Sequence, residues 1–163
     1  EYELDYSKVP GIPEDIAKEY EAGRSLNKGI SAGRIAFKIH DRDGNKVAYT
    51  LYRPEKDEWF YFKGYEHRHL YNLHRVKDTF LFLTVSPLDV LHLVALGIQK
   101  TIGLLHQGMT EAQETLLKGL QGVYLLHPEP ENIVRRLSPH IFIKAPKLNK
   151  KVSDLTKEDI AGL

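Results

Sequence analysis

The sequence contains no cysteine, which excludes disulfide bridges, cysteine-ligated zinc and a thiol nucleophile from this chain. It lacks an excess of one charge, because 23 Lys and Arg residues stand against 22 Asp and Glu residues; this balance argues against a histone-like wrapping protein. No apolar run approaches the ~18 residues of a membrane span, and no signal-like leader begins the chain. We therefore expect a soluble, cytoplasmic protein.

Two further absences exclude common classes of binding site. The sequence has no glycine motif of the P-loop or dinucleotide-binding type, which excludes the common nucleotide hydrolases and dehydrogenases. Residues 41–52 resemble a calcium-binding loop only superficially, because the glycine falls at the fourth place and the twelfth residue is Tyr52 instead of Glu. A hairpin turn explains this stretch better.

The composition is that of a folded protein. With 163 residues and 42% hydrophobic side chains, the chain suits one domain or two small ones. It begins with Glu1 instead of Met, so we expect it to be a piece of a longer protein.

Residues 1–77 predict a small mixed α+β subdomain with a β-hairpin. Helical spacing over residues 13–22 ends before Gly23. Apolar side chains then alternate over residues 35–39 and again over 47–51, and Asp43-Gly44 supplies the turn between them.

Residues 78–145 predict a parallel sheet in a β-α-β-α-β-α-β order. Strand-length apolar runs at 80–85, 100–105, 122–126 and 140–143 alternate with helical patterns, which is typical of an α/β fold. Ser86 and Thr110 stand where helix N-caps are needed. Residues 146–163 form a basic loop and, from Thr156, the start of a further helix.

Ligands of open parallel sheets bind beyond the carboxyl ends of the strands, which directs attention to three loops. These loops contain two carboxylates, Asp89 and Glu129, and two imidazoles, His106 and His127. The alternative is that Asp89 only favours the first turn of its helix and that the histidines are ordinary loop residues.

Aromatic and basic side chains alternate over residues 52–77. Cations that neutralise phosphates beside aromatic rings that stack on unpaired bases are typical of nucleic-acid surfaces. Four acidic residues dilute this stretch, so a core with a solvated outer face explains it as well.

Several segments in the same order resemble the catalytic core of DnaG-like bacterial primases. Residues 33–44, GRIAFKIHDRDG, resemble the family pattern G-R-I-x-F-P-I-x-D-x-x-G, with Lys38 in place of proline. Arg53, Lys63-Gly64 and residues 70–75, LYNLHR, fall on later motifs, and Asp89 falls on the aspartate of E-G-x-x-D. The resemblance runs from about Ile12 to about Asp159.

This resemblance implies a primase-type amino-terminal subdomain over 1–77 and a Toprim-like subdomain over 78–145. It also implies a damaged metal site. Val85-Ser86 stands where the family has the catalytic Glu-Gly, and His127-Pro128-Glu129 replaces the Asp-x-Asp that holds magnesium. Magnesium prefers fixed oxygen ligands, and histidine is a poor substitute for them.

Three functions remain open. The first is a primase-like nucleic-acid-binding module of a replication or mobile-element protein, which lacks metal-dependent catalysis and requires no cofactor. Its partners would be single-stranded DNA or a DNA/RNA hybrid, with a helicase or another replication protein beside it and no membrane. The resemblance assigns nucleic-acid binding in this module to Arg34, Arg53, Lys63 and Arg75.

The second function is a divergent primase, nucleotidyltransferase or nuclease. It would use Asp89 and Glu129 as catalytic residues and would hold Mg²⁺ or Mn²⁺ with the help of His127. The third is a structural protein-interaction domain. Nucleic-acid binding would be favoured if Arg34, Arg53, Lys63 and Arg75 lie on one exposed face near the carboxyl edge of the sheet. Protein interaction would be favoured if they are scattered or paired with Glu55, Asp57 and Glu58.

Overall fold

The computed structural model describes residues 1–62 and 68–163 and has two sheets. One sheet is antiparallel with five strands in the order β1-β2-β3-β4-β5, and the other is parallel with four strands in the order β7-β6-β8-β9. The α/β class and the mixed amino-terminal subdomain followed by a parallel sheet are therefore confirmed. None of the helices among these residues is long and apolar enough to cross a membrane.

The antiparallel sheet contains the hairpin that the sequence predicts, with further strands on both sides of it. Its elements are β1 (Leu4–Asp5), α1 (Glu14–Glu19), β2 (Ala22–Ser25), β3 (Ile35–His40), β4 (Lys46–Arg53) and β5 (Glu58–Tyr61). Strands β3 and β4 pair with Phe37 opposite Thr50, and strand β5 continues the sheet with Trp59 opposite Tyr52. Successive side chains of a strand point to opposite faces of the sheet, so one face is directed towards the interior of the molecule and the other away from it.

The parallel sheet follows from residue 80. Its elements are β6 (Phe80–Thr84), α2 (Pro87–Ala95), β7 (Thr101–Gly103), α3 (Glu111–Leu117), β8 (Gly122–Leu125), α4 (Glu131–Leu137) and β9 (Phe142–Lys144), and α5 (Lys157–Ala161) ends the chain. Ser86 caps α2 by accepting a hydrogen bond from the Asp89 amide, and Thr110 and Gln113 form the capping box of α3. Both caps agree with the sequence prediction.

Helix α2 lies at the centre of the molecule. Its Val90 and Leu91 pack with the inner face of the antiparallel sheet, and its Leu93 packs with the carboxy-terminal tail at Val152 and Leu155. Helices α3 and α4 cover the opposite face of the parallel sheet. Helix α2 therefore packs against both sheets.

A short segment joins the two sheets. The Tyr71 amide donates to the Gly103 carbonyl at 2.8 Å and the Gly103 amide donates to the Tyr71 carbonyl at 3.0 Å, which adds a bridge to the edge of β7. Asn72 follows in the left-handed region with φ of 71°, and its side-chain amide donates to the Thr101 carbonyl at 3.1 Å. Residues 70–75 of the LYNLHR motif therefore build this joint.

Candidate functional site: a cleft and an arginine pair

A cleft of about 800 Å³ lies between the antiparallel sheet and the carboxyl ends of the parallel strands. The loops after β6 and β7 form one wall, which includes Ser86, Asp89 and His106. This is the position at which open parallel sheets bind ligands, as the sequence predicts. The other walls come from the inner face of β4 and β5 and from the carboxy-terminal tail.

Three aromatic side chains form the wall opposite the parallel sheet. Trp59 lies between Tyr52 and Tyr61, with ring centroids 4.5 Å and 6.4 Å away. The Tyr61 hydroxyl donates to the Leu105 carbonyl across the cleft, and the Tyr52 hydroxyl donates to Asp57 at 2.8 Å. Burial, reinforced by the Asp57 carboxylate, raises the pKa of Tyr52 to about 12. The wall is therefore aromatic, and the hydroxyls of both of its tyrosines are hydrogen-bonded.

Asp89 supplies a half-buried carboxyl to the cleft. Burial raises the pKa of the Asp89 carboxyl above its ordinary value, and the hydrogen bonds from Ser86 oppose this shift without cancelling it. Its own backbone amide donates to the Ser86 hydroxyl oxygen at 3.0 Å. Asp89 therefore lies in the first turn of α2, where a carboxylate favours the helix, and it also lines the cleft.

His127 connects two of the loops that line the cleft, those after β7 and β8, and is 3% exposed. The Glu129 amide donates to its Nδ1 at 2.9 Å, so Nδ1 carries no proton and Nε2 does. Nε2 lies 2.8 Å from the Gln107 carbonyl oxygen and donates to it. Both ring nitrogens are thus used, and the imidazole joins the loop after β8 to the loop after β7.

The residues at these loops do not fit a divalent metal ion. The side chain of Val85 has no ligating atom, and both ring nitrogens of His127 are used in hydrogen bonds. Glu129 is exposed and Asp89 lines the cleft. Within residues 1–62 and 68–163, no three His, Asp or Glu side chains gather in a metal-binding group. Magnesium needs several fixed oxygen ligands, and this donor set does not provide them.

The carboxy-terminal tail forms the third wall and brings two lysines to the cleft. Lys150 and Lys151 both line it, together with the residues that follow them. Lys150 Nζ lies 2.8 Å from Asp159 Oδ2 on helix α5, and the Leu155 carbonyl lies 2.8 Å from His92 Nε2 on α2. These contacts fix the tail, while no ion pair joins Lys151 to another residue that the structure describes.

Arg34 and Arg53 lie side by side at one end of the antiparallel sheet. Ile35 pairs with Tyr52, so the register places Arg34 next to Arg53. The Arg34 guanidinium lies 5.8 Å from the centroid of the Phe60 ring, and Arg53 Nε is 3.9 Å from Glu55 Oε1. Phe60 packs with the outer face of the sheet, whereas Tyr52 belongs to the inner face that lines the cleft. The arginine pair therefore lies on the other side of the sheet.

Arg75 lies away from this pair, in the joint between the sheets. Its Nη2 is 3.4 Å from Glu21 Oε2, its Nη1 is 3.3 Å from Asn72 Oδ1, and its guanidinium lies over the Tyr20 ring at 5.0 Å. These partners give Arg75 a structural role in the fold.

Arg34, Arg53 and Arg75 are therefore not gathered on one face, and Arg53 pairs with Glu55, which is the arrangement that the protein-interaction function predicts. Lys63 lies outside the described residues.

Comparison with known proteins finds similar solved structures but no matching sequence. No family model and no curated protein sequence matches the chain. The zinc-binding and RNA polymerase domains of Aquifex aeolicus primase match with a TM-score of 0.76 at 18% identity, over 96% of this chain and 53% of that one. This chain thus spans about half the length of that primase chain. The chain has the fold of a DnaG-type primase catalytic core.

Two other primases support this assignment of the fold. A DnaG primase catalytic domain bound to single-stranded DNA matches with a TM-score of 0.78 at 13% identity, over 96% of this chain and 68% of that one. The primase fragment of the bacteriophage T7 primase-helicase protein matches with a TM-score of 0.75 at 13% identity, over 99% of this chain and 72% of that one.

The structure adds cleft residues that the sequence did not single out. Asp57, Lys150 and Lys151 line the cleft, whereas the sequence indicates only an acidic residue within the basic stretch and a basic tail. Only the high density of aromatic residues around Trp59 signalled this wall in advance. The return of the tail to the cleft has no local sequence signal.

Proposed function

We propose that this chain is a primase-like module that binds single-stranded nucleic acid and does not perform metal-dependent catalysis. The observation that carries the proposal is the neighbouring pair Arg34 and Arg53, with the Phe60 ring beneath the first guanidinium. Cations beside aromatic rings bind an unpaired strand through its phosphates and bases. The likeness in fold to a DnaG domain bound to single-stranded DNA supports the same function.

Exposure and charge at the arginine pair are suited to phosphate contacts. Arg53 is 31% exposed along its side chain, and its carboxylate neighbour Glu55 is 70% exposed, so solvent screens that pair. An incoming phosphate can therefore replace Glu55 at little cost. Arg75, by contrast, would have to leave a half-buried carboxylate, and we assign strand binding to Arg34 and Arg53.

The absence of metal-dependent catalysis rests on the donor atoms of the cleft. His127 uses both nitrogens in hydrogen bonds, and Glu129 is exposed and is not one of the residues that line the cleft. Phosphoryl-transfer enzymes need a cation held by fixed carboxylates beside the reacting phosphate. Asp57 and Asp89 are the two carboxylates that line the cleft, and among the described residues no third His, Asp or Glu joins them in a metal-binding group.

Salt-dependent binding of a single-stranded oligonucleotide tests the proposal. We expect measurable affinity at low salt in EDTA, because binding releases counterions from the strand. Each phosphate contact contributes about 0.7 to the slope of log K against log salt for a single strand, so the Arg34→Ala, Arg53→Ala double variant should lose about 1.4. Fluorescence anisotropy of a labelled strand measures both the affinity and the slope.

The matched control is Arg135→Ala, which removes an exposed arginine from helix α4, far along the chain from the proposed surface. It should change neither the affinity nor the slope by a comparable amount. No binding of the native chain at low salt would reject the proposal and favour the protein-interaction function.

A further inference from the structure

The outer face of the antiparallel sheet carries a second pair of cations, at the end opposite to the arginine pair. Lys38 and Lys46 lie over the ring of Tyr49, with Nζ 6.0 Å and 4.8 Å from the ring centroid. Both ammoniums and the Tyr49 hydroxyl contact one carboxylate, that of Glu1. Lys38, Lys46 and Tyr49 are called the anion site below.

Resting on the proposed function, we propose that the anion site binds a further phosphate of the single strand held at Arg34 and Arg53, and that the carboxylate of Glu1 competes with this phosphate. The site lies on the outer face of the sheet and is separate from the cleft. Lys38 stands where the primase motif has proline, so the motif resemblance does not supply this site.

The contacts of Glu1 show that the site is built for an anion. The Tyr49 hydroxyl donates to Glu1 Oε2 at 2.7 Å, and Lys38 Nζ lies 3.3 Å from the same oxygen. Lys46 Nζ lies 3.2 Å from Oε1. The Tyr49 hydrogen bond and the two ammoniums lower the pKa of Glu1 to about 2. The same three donors suit the oxygens of a phosphate, which accept charge-assisted hydrogen bonds in the same way.

The anion is easier to remove than the site that holds it. The Glu1 side chain is 63% exposed, whereas that of Lys38 is 14% exposed and Tyr49 is buried. Lys38 also pairs with Glu21 at 3.0 Å, which keeps its ammonium in place when Glu1 leaves. Glu21 is shared with Arg75, so its repulsion of an incoming phosphate is partly neutralised. Exposed ion pairs such as those of Glu1 are weak, and a phosphate can replace them.

Aromatic rings lie between the two groups of cations. Arg34 and Lys38 are four residues apart on one strand, a separation of about 13 Å that an extended strand spans with a few nucleotides. The rings of Phe60 and Phe62 lie 5.2 Å apart on this face. A cavity of about 290 Å³ beside the anion site is lined by Phe62 and Tyr2. Aromatic rings stack on bases of any sequence, so a strand can cross this face with its bases on the rings.

Replacement of Glu1 by glutamine tests the competition. Glutamine keeps an oxygen that accepts from Tyr49 but removes the charge that holds the two lysines. Fluorescence anisotropy of a labelled oligothymidylate in EDTA should then show binding about three- to tenfold tighter, the size of one or two exposed charge pairs. The slope of log K against log salt should steepen by about 0.7 for each lysine that gains a phosphate.

Lys46→Ala shows whether the gain passes through the anion site. In the native chain this variant should change strand affinity little, because Glu1 already occupies Lys46. In the Glu1→Gln background it should lower the affinity and reduce the slope by about 0.7. Glu3→Gln is the matched control, since it removes the same charge from an exposed side chain two residues away. Equal gains from Glu1→Gln and Glu3→Gln, or equal losses from Lys46→Ala in both backgrounds, would overturn the inference in favour of a general effect of charge.

The inference and the proposed function fail in different ways. Strand binding that the Arg34→Ala, Arg53→Ala variant weakens but Glu1→Gln leaves unchanged would overturn the inference and leave the proposed function standing. Absence of strand binding by both the native chain and Glu1→Gln would reject the proposed function, and the inference with it.

Discussion

Replacement of His127 by alanine tests whether an imidazole organises the cleft without a metal ion. The ring is almost fully buried, accepts from the Glu129 amide at 2.9 Å and donates to the Gln107 carbonyl at 2.8 Å. Alanine removes both hydrogen bonds and leaves the space of the ring empty. The loops after β7 and β8 then lose the contact that joins them.

The expected cost follows from these contacts. Each hydrogen bond contributes about 1 kcal/mol net, and loss of the buried ring adds a similar amount, for a total of about 2–4 kcal/mol. At about 2–4 °C for each kcal/mol in a chain of this size, the melting temperature should fall by about 5–15 °C. Asn retains an acceptor near the position of Nδ1 and Gln retains a donor near that of Nε2, so His127→Asn and His127→Gln should each lose less.

Urea denaturation followed by circular dichroism, with thermal melts in EDTA and in magnesium, measures these differences. The native chain should melt at the same temperature in both buffers, because a cation that binds the folded state would raise it. An alanine variant as stable as the native chain would refute the role of His127, and a magnesium-dependent rise of several degrees would refute the metal-free cleft.

Three further predictions concern the remainder of the fold. His74 stacks on His40 at 4.1 Å, and burial lowers the pKa of His74 to about 4 and also lowers that of His40, so the folded state binds fewer protons than the unfolded state below about pH 6.5 and stability falls from there towards pH 4. His74→Phe, which keeps the stack, should flatten that fall in urea midpoints. Asn72→Ala should cost about 2–3 kcal/mol in urea denaturation, because it loses a buried hydrogen bond and a side chain that tolerates φ of 71°; Asn72→Gly should cost less. Gly122→Ala should cost about 1–3 kcal/mol, because its Cβ would lie 2.6 Å from a phenylalanine ring atom and 2.9 Å from a carbonyl oxygen; Gly119→Ala, with nothing nearer than 3.4 Å, is the control for its melting temperature.

Local signals explain how much of the fold could be predicted. The β3–β4 hairpin has alternating apolar and polar side chains and a turn between its strands. The caps Ser86 and Thr110 each accept a hydrogen bond from an amide only three residues further along the chain. Strands β1 and β2 are short and have no such pattern. Gly23 lets Leu4 approach closely where they pair. The sequence therefore predicted a hairpin where the structure has a five-stranded sheet.

The candidate site likewise has parts that the sequence predicts and parts that it does not. The rule for parallel sheets located the loops with Asp89 and His127, because strand order alone brings carboxyl ends together. The pairing of Arg75 with Glu21 spans 54 positions of sequence, and the motif resemblance gave no sign of it. The return of Lys151 to the cleft likewise depends on packing of the tail against α2.

The most direct test of the central claim measures strand binding and primer synthesis on the same preparation. Single-stranded DNA should bind in EDTA with a salt slope that Arg34→Ala, Arg53→Ala reduces, and a template with nucleoside triphosphates and magnesium or manganese should yield no primer. Robust synthesis that Asp89→Asn abolishes would contradict the account, and so would strand binding that requires a divalent cation.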